Sequence, residues 1–349
     1  MELSTHDVAE ISVQPITPDS LTRLAGSGSG LFYSARWLGV LVAHYGFRLW
    51  QTTDAEGGYM LFAEGRGVLG PKLISLPFSD YTLPPLSPGM LPRHLAALRR
   101  QFPHTPLHFK CAGLFASLQQ LESLGAPVSV ACLHRIPLNG QPAPPMSASF
   151  LRGVRKALRG GLRAQCSHSE ESLLQFYRLY YRLRTEKLGL IPQPFSFFQR
   201  VWEQFIKTGE GFIYEVRQQE EVLASAIVLR SGEALYYKWG CSATDRLRLR
   251  PNNLLFWELI RKAAGMGCPF LDLGLSDLDE TRGLIRFKSS MGGQQSPIWS
   301  WSLYPEGYPL ELEQKFKGMV SQLAHIVVSN RLEPAQTQAF SQALYPLFV

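Results

Sequence analysis

The alternation of hydrophobic and polar positions is most regular in the second half of the chain. It predicts three consecutive strands, Gly211–Arg217, Val222–Arg230 and Glu233–Cys241, joined by connections that are short enough for hairpins. A helix over Asn252–Met266 and a further apolar strand, Pro269–Leu273, follow them. Because a strand, a helix and a strand in this order form a parallel crossover, the pattern predicts a mixed, mostly antiparallel sheet of the α+β class.

The first half alternates short apolar runs with turns, which predicts a separate sheet. The predicted elements are helices at Pro92–Gln101 and Ala112–Leu124 and strands at Phe47–Gln51, Tyr59–Ala63, Leu73–Leu76 and Val128–Leu133. The tract Pro137–Pro145 (PLNGQPAPP) contains four prolines and one glycine, so it cannot continue a helix or a central strand. We therefore expect one domain at 1–145, a second at 146–305 and a helical tail at 306–349.

Composition limits the class of protein. With 349 residues, 45% of them hydrophobic and 18% charged, the chain is long and apolar enough for two globular domains. No apolar run reaches the roughly 18 residues of a membrane span, and the first residues do not resemble a signal peptide. The five scattered cysteines and eight histidines show no metal-ligand spacing. These features predict a cytoplasmic protein without a bound metal.

The net charge of +7 is concentrated in one short segment. Its basic residues recur at helical spacing without an acid between them: Arg152, Arg155, Lys156, Arg159 and Arg163. The segment is therefore predicted to be an amphipathic basic helix. Three roles fit such a helix: a solvated face, a site for polyphosphate, nucleotide-sugar or tRNA backbone, and contact with the anionic inner face of a membrane.

Four sequence words together resemble FemAB-like proteins of the GNAT acyltransferase superfamily. They are Phe150–Arg163 (FLRGVRKALRGGLR), Pro251–Trp257 (PNNLLFW), Asp272-Leu273-Gly274, and Gly283-Leu284 followed by Phe287-Lys288 and Gly292. The resemblance implies two tandem GNAT-like domains and a tail that returns to the first domain. It also implies transfer of an acyl or aminoacyl group from an activated carrier to an amine of a cell-envelope or exopolysaccharide precursor, without a tightly bound cofactor.

One segment departs from the acetyl-CoA-binding pattern of this superfamily. Those enzymes resemble one another in a glycine-rich loop that holds a pyrophosphate, but Thr244–Asn253 contains no glycine, and Pro251 lacks an N–H donor. Arg246, Arg248 and Arg250 could bind phosphate through their side chains instead. The co-substrate therefore stays open between acyl-CoA and aminoacyl-tRNA.

Three residues are predicted to serve the chemistry. Lys288 matches the family's F-K lysine, which the resemblance implies lies close to the transferred carbonyl; a solvated helix lysine is the alternative. Asp272 follows an apolar strand, where it could orient or deprotonate the acceptor amine, or cap the next turn. Tyr237 and Trp239 should share one face of their strand, opposite Tyr236 and Lys238, because side chains alternate along a strand.

Eight further residues are predicted to bind substrate: Arg155, Lys156, Arg159, Arg250, Asn252, Asn253, Arg282 and Arg286. Helix capping is the alternative for the two asparagines, and a solvated surface is the alternative for the arginines. Two function classes remain at this point. One is the acyltransferase, with an anionic or lipid-linked glycan precursor as partner and with tRNA as a second partner if the donor is aminoacyl-tRNA. The other is a non-catalytic binding protein that recognises an anionic glycan precursor or RNA. The sequence gives no indication of the oligomeric state.

Overall fold

The computed structural model describes residues 11–17, 20–21, 30–113, 128–138, 144–277 and 282–348. The chain forms two compact units. The first unit comprises the chain up to Ser129 together with Ile298–Leu310, and the second comprises Val130–Pro297 and Glu311–Phe348. The division between the units therefore precedes the predicted one, and a late strand of the chain belongs to the first unit.

The first unit contains a mixed sheet. Its strands follow the order β1-β2-β3-β4-β5-β12, with β1 at Ser12–Pro15, β2 at Arg48–Thr53, β3 at Tyr59–Gly67, β4 at Gly70–Ile74, β5 at Leu107–Ala112 and β12 at Gln294–Leu303. Helix α1 (Ala35–Tyr45) begins after the capping residue Ser34, whose side chain accepts the Trp37 amide, and ends at Gly46 in the left-handed conformation.

A parallel crossover organises this first sheet. Strands β4 and β5 pair in parallel and are joined through helix α2 (Leu91–Gln101), and the Ile298–Leu303 part of β12 pairs antiparallel with β5. Trp301 on β12 stacks on Phe109 of β5 within an apolar core. Both residues are almost completely buried, which explains why the tryptophan-rich strand belongs to this unit.

The second unit contains the more regular sheet. Its strands follow the order β6-β11-β10-β9-β8-β7, with β6 at Val128–Pro137, β7 at Arg163–Ser167, β8 at Gly211–Gln218, β9 at Glu221–Ser231, β10 at Ala234–Ser242 and β11 at Phe270–Asp277. The pairs β8–β9 and β9–β10 are antiparallel, whereas β10 and β11 are parallel. The predicted hairpins, parallel crossover and α+β class are therefore confirmed.

Helices cover both faces of the second sheet. They are α3 at Ala148–Arg159, α4 at Glu170–Arg182, α5 at Phe195–Val201, α6 at Pro251–Gly265, α7 at Arg282–Ser290, α8 at Leu310–Ser329 and α9 at Pro334–Leu344. One core packs Phe150 and Val154 of α3 with Phe256 and Leu259 of α6 against the sheet. On the other face, the rings of Phe176, Phe198 and Trp239 pack together.

Two predictions about chain organisation need correction. Ala112 ends β5 instead of opening a helix, because Cys111 and Ala112 pair with β12; residues 114–127 of that predicted helix lie outside the described residues. The tail was expected to return to the first domain, whereas Glu311–Phe348 belongs to the second unit. Gln338 on α9 accepts the Phe195 amide at 3.0 Å, and the Ser341 hydroxyl donates to the Pro192 carbonyl, so the helix covers polar groups of that unit.

Candidate functional site

The parallel strands β10 and β11 pair at only two positions, Leu235 with Leu271 and Tyr236 with Asp272. Directly after these pairs, β10 bulges between Tyr237 and Trp239, and β11 bulges between Asp272 and Leu275. A bulge bends its strand and ends local pairing, so the two strands diverge toward their carboxyl ends. Ligands of α/β sheets bind where such strand ends separate.

The bulge in β10 determines where Tyr237 lies. Its ring packs on Phe256 of α6 at 4.8 Å, whereas Trp239 packs on Phe198 on the other face of the sheet. The prediction that Tyr237 and Trp239 share a face is therefore wrong, because the extra residue Lys238 interrupts the alternation.

The Tyr237 hydroxyl lies over the backbone of Gly240, where a side chain would collide with it. Burial raises the pKa of Tyr237, so the phenol stays protonated at neutral pH. Within the part of the chain that the structure describes, the Tyr237 hydroxyl makes no hydrogen bond. A protonated donor without a protein acceptor is thus placed beside the diverging strands.

Asp272 has protein partners for both carboxylate oxygens. Arg135 on β6 donates from Nε to Oδ2 at 3.0 Å, and the Gly274 amide donates to Oδ1 at 2.8 Å. Arg135 also covers the Phe270 ring at 4.4 Å. Asp272 is only 2% exposed, so this geometry corresponds to the capping alternative and stabilises the bulge in β11.

Lys288 is not a solvated surface lysine, because its side chain is 3% exposed. Its ammonium donates to the carbonyl oxygens of Gly274 at 3.2 Å and Leu275 at 2.7 Å. The preceding residue, Phe287, packs against the rings of Phe150 on α3 and Phe256 on α6 and so anchors α7 against these two helices. Lys288 thereby donates hydrogen bonds to two carbonyl oxygens at the bulge, where the regular hydrogen bonding between strands is interrupted.

Sequence analysis missed a buried polar row beneath α7. Cys132 and His134 alternate on β6, with Cys132 Sγ 3.9 Å from His134 Nδ1, and Ser276 pairs with Cys132 across the strands. Burial, followed by the Lys288 ammonium, lowers the pKa of His134 to about 4. Among the described residues, nothing binds His134 Nε2 or the Ser276 hydroxyl. The Cys-x-His spacing was the available signal, but the predicted strand ended at Leu133, one residue before His134.

A cavity of about 320 Å³ lies where α3 meets the start of α6. The side chains that line it include Arg152, Lys156, Arg250 and Asn253, together with Phe150 and Phe287. No described acidic residue forms an ion pair with any of the three cations. Predicted substrate-binding residues from two segments that are far apart in the sequence therefore line one electropositive cavity.

Glycine permits the close approach of the two helices at this cavity. A Cβ on Gly153 of α3 would lie 2.4 Å from Asn253 Nδ2, which donates to the Phe150 carbonyl at 3.2 Å. Helix α6 begins at Pro251 after Arg250, which is left-handed with a φ of 64°. The capping interpretation of the asparagines is thus wrong: both lie in the first turn, and Asn252 donates to the Ser242 hydroxyl at 3.3 Å.

Other predicted binding residues lie apart from this cavity. Arg155 and Arg159 are exposed on α3, and Arg286 is exposed on α7, but none of them lines the hollow. Arg246 faces Glu221 and Asp245, each at 3.6 Å. The side chain of Arg282, with Asp279 and Glu280, lies outside the described residues.

The described residues contain neither a cluster of metal ligands nor a helix suited to span a membrane. No group of three or more histidine, cysteine, aspartate or glutamate side chains is arranged to hold a metal ion. No helix in the described ranges combines the length and the apolar character needed to cross a membrane.

Comparison with known proteins places this geometry in a family context. Residues 147–288 match the model of the acetyltransferase (GNAT) domain. The structure of FemX is similar, with a TM-score of 0.61 at 14% identity over 89% of this chain and 100% of that one. The structure of L-PGS from Bacillus licheniformis gives 0.57 at 13% identity over 92% and 99%.

A third similar structure is the C-terminal domain of a putative lysylphosphatidylglycerol synthetase from Agrobacterium fabrum, with a TM-score of 0.55 at 12% identity over 88% and 95%. A tandem GNAT protein from the clavulanic acid biosynthesis pathway gives 0.50 at 12% identity over 84% and 98%. No curated protein sequence matches the chain. Residues 147–288 therefore match a GNAT acetyltransferase domain, and the chain as a whole shares its fold with FemX and with a tandem GNAT protein.

Proposed function

We propose that this protein is an N-acyltransferase that binds the phosphates of an activated acyl carrier in the basic cavity and transfers the acyl group beside Tyr237. The observation that carries the proposal is the cavity itself, where Arg152, Lys156 and Arg250 converge without an ion-pair partner among the described residues. Three cations that converge on a hollow are stabilised by a bound polyanion such as a pyrophosphate.

Side chains take the place of a backbone cradle in this proposal. At the start of α6, Pro251 has no N–H, and the backbone N–H of Asn253 already donates to the Arg250 carbonyl oxygen at 3.1 Å. Few backbone donors are thus left for a phosphate at this helix end, in contrast to a glycine-rich loop. The guanidinium groups of Arg152 and Arg250 can bind phosphate oxygens in pairs, which explains how the site works without glycine.

The transfer step requires only positioning and a proton donor. The amine nitrogen attacks the acyl carbon, the bond from that carbon to the carrier's sulfur or oxygen breaks, and the new amide nitrogen loses one proton, which the leaving carrier takes up directly or through the Tyr237 hydroxyl. The protonated phenol of Tyr237 can donate to the carbonyl oxygen or to the leaving atom. In this proposal, Lys288 and Asp272 shape the site, because their polar atoms hold the Gly274 bulge.

The acceptor in this proposal is an amine on an anionic cell-envelope or exopolysaccharide precursor. Arg155 and Arg159 support an anionic acceptor or membrane surface, because they are exposed on the same helix as the cavity residues Arg152 and Lys156. A protein of similar fold is named a lysylphosphatidylglycerol synthetase, which supports an aminoacyl donor as one of the two carriers. Acyl-CoA is the other.

The decisive experiment titrates the purified protein with coenzyme A, acetyl-CoA and aminoacylated tRNA by calorimetry and then tests the bound donor for transfer to a panel of amines. We expect one donor class to bind and to lose affinity in the double variant Arg152→Ala/Lys156→Ala. The matched control is Arg155→Ala/Arg159→Ala, which removes the same charge from the same helix outside the cavity. Equal losses in both variants would contradict a specific phosphate site.

A second candidate, a non-catalytic binding protein for an anionic glycan precursor or RNA, is favoured by one observation. The start of α6 lacks the glycine-rich cradle and has a proline in its first turn. This candidate predicts binding that depends on Arg152 and Lys156 but no transfer to any amine, and it also predicts that Tyr237→Phe has no effect. Turnover that depends on Tyr237 would exclude it.

A further inference from the structure

Helix α8 carries a row of large apolar side chains that its own unit leaves exposed. They are Leu312 at 46%, Phe316 at 39%, Met319 at 60%, Leu323 at 42% and Ile326 at 54% exposure. An adjacent flank of the helix is buried through Glu313, Ala324, Val327 and Val328. The helix is thus anchored along one flank and presents a separate apolar row, which exceeds the scattered exposure of ordinary surfaces.

The spacing of this row is that of a two-helix seam. Its members follow one another at intervals of 4, 3, 4 and 3 residues, which is the heptad pattern that faces a partner helix. The row is also narrow: the neighbouring positions Lys315, Gln322 and His325 are polar and exposed. A helix that lies in a lipid surface presents a broad apolar face, so the narrow seam favours a helical partner.

Charge along the helix selects the direction of that partner. The amino-terminal turn carries Glu311, and the carboxyl end is followed by Arg331; both residues are exposed. An antiparallel copy places Glu311 near the partner's Arg331 and opposes the two helix dipoles favourably, whereas a parallel copy places like charges together. Met319 lies at the centre of the seam, which is where a two-fold axis would pass.

We propose that the exposed row of α8 is a self-association surface at which a second copy of this chain packs its own α8 antiparallel around Met319. The contact is isologous, so Leu312 of each copy lies opposite Ile326 of the other. This proposal is independent of the acyl-transfer proposal, because none of the seam residues lines the basic cavity or contacts Tyr237.

The mass of the full-length protein in solution tests the association. Light scattering at micromolar concentration should give twice the 39.2 kDa chain mass for the wild type and the single mass for Met319→Glu. The matched control Ser321→Glu introduces the same charge at an exposed position off the seam and should stay dimeric. A monomeric wild type, or a dimer that survives Met319→Glu, would overturn the proposal.

Cysteine cross-linking tests the orientation in a Cys166→Ser background, since Cys166 is the exposed cysteine among the five. Met319→Cys should form an inter-chain disulfide, Leu312→Cys alone should not, and Leu312→Cys combined with Ile326→Cys should. Cross-linking of Leu312→Cys alone would indicate a parallel pair and contradict the antiparallel arrangement. A monomer that sediments with phosphatidylglycerol vesicles through Met319 would identify lipid as the occupant and also overturn the proposal.

Discussion

Lys288 and Asp272 both bind the backbone of Gly274, although they come from different elements. The Lys288 ammonium donates to the Gly274 carbonyl oxygen at 3.2 Å, and the Gly274 amide donates to Asp272 Oδ1 at 2.8 Å. Gly274 has a φ of 66°, a conformation that favours glycine. The two side chains that the sequence suggested for chemistry therefore fix one bulge at the point where β11 leaves β10.

Replacing Lys288 by methionine should destabilise the second unit by about 3 kcal/mol, because two buried carbonyl oxygens lose a charged donor. Urea unfolding measures this change. The matched control is Lys187→Met, at an exposed lysine for which the structure shows no partner among the described residues; it should change stability by less than about 0.5 kcal/mol. Equal effects of the two substitutions would show that the Lys288 contacts contribute nothing to stability.

Removing one cavity cation should weaken binding of the phosphate-bearing donor. Lys156→Ala and Arg250→Ala each lose a charge-assisted hydrogen bond, and the dissociation constant should rise about tenfold, which corresponds to about 1.4 kcal/mol. Isothermal titration at two salt concentrations measures the effect, which should shrink as salt rises. Arg159→Ala, outside the cavity on the same helix, serves as the control. A rise as large as that of Lys156→Ala in this control would mean that only the general positive field matters.

Tyr237→Phe should lower kcat on the order of a hundredfold while leaving the fold intact, because the ring contact with Phe256 remains and only a proton donor is lost. Thermal unfolding of the variant checks the fold. Burial raises the pKa of the phenol above its ordinary value, so the wild-type rate should not fall through phenol ionisation below about pH 10. Unchanged turnover in the variant would remove Tyr237 from the transfer step.

His134 should make the folded state less stable in mild acid. Its folded pKa of about 4 lies below the ordinary 6.5, so below pH 6.5 the unfolded chain binds a proton that the folded chain does not. Stability is thus complete above pH 6.5 and decreases as the pH falls toward 4, by about 2 kcal/mol at pH 5. The variant His134→Leu should show a smaller difference between pH 7 and pH 5 in urea unfolding. An identical pH dependence would contradict a buried neutral imidazole.

Gly153→Ala should destabilise the contact between α3 and α6 by about 1–3 kcal/mol. The added methyl group would lie 2.4 Å from the side-chain nitrogen Nδ2 of Asn253, which is close enough to collide with it. It should also weaken donor binding, since Asn253 lines the cavity. The control Gly265→Ala adds a methyl group to α6 where nothing lies within 4 Å, and it should be neutral or slightly stabilising. Calorimetric melting of both variants distinguishes a packing effect from a general glycine effect.

Several parts of the fold could be predicted because local pattern fixes them. The helix predicted over Asn252–Met266 is observed as Pro251–Gly265, and the three hairpin strands differ from the prediction by at most one residue at each end. Short connections and period-two burial act over neighbouring residues, so no distant contact is needed to specify them. The four motifs that suggested the family lie within residues 147–288, the range that matches the family model, except for Gly292 at the end of the last motif.

The candidate site was only partly predictable, because bulges and helix crossings depend on residues far apart in sequence. The extra residue Lys238 moved Tyr237 to a different face from Trp239, and no local pattern marked it. His134 becomes notable only when α7 brings Lys288 close to β6. The basic helix was predicted correctly as far as Arg159, whereas Arg163 lies in β7. Which of its cations face a cavity depended on where Gly153 lets α6 approach.

The sequence by itself determined the α+β class, the hairpins and crossover of the second sheet, and the identity of the basic segment, because hydrophobic periodicity and turn chemistry act locally. Only the tertiary structure decided that Lys288 and Asp272 meet at Gly274, that Arg152, Lys156 and Arg250 share one hollow, and that the tail helices pack on the second unit. Those outcomes depend on burying side chains from distant segments against one another. The free energy gained by this burial cannot be inferred from the pattern of any short segment, because it arises only when the distant segments are in contact.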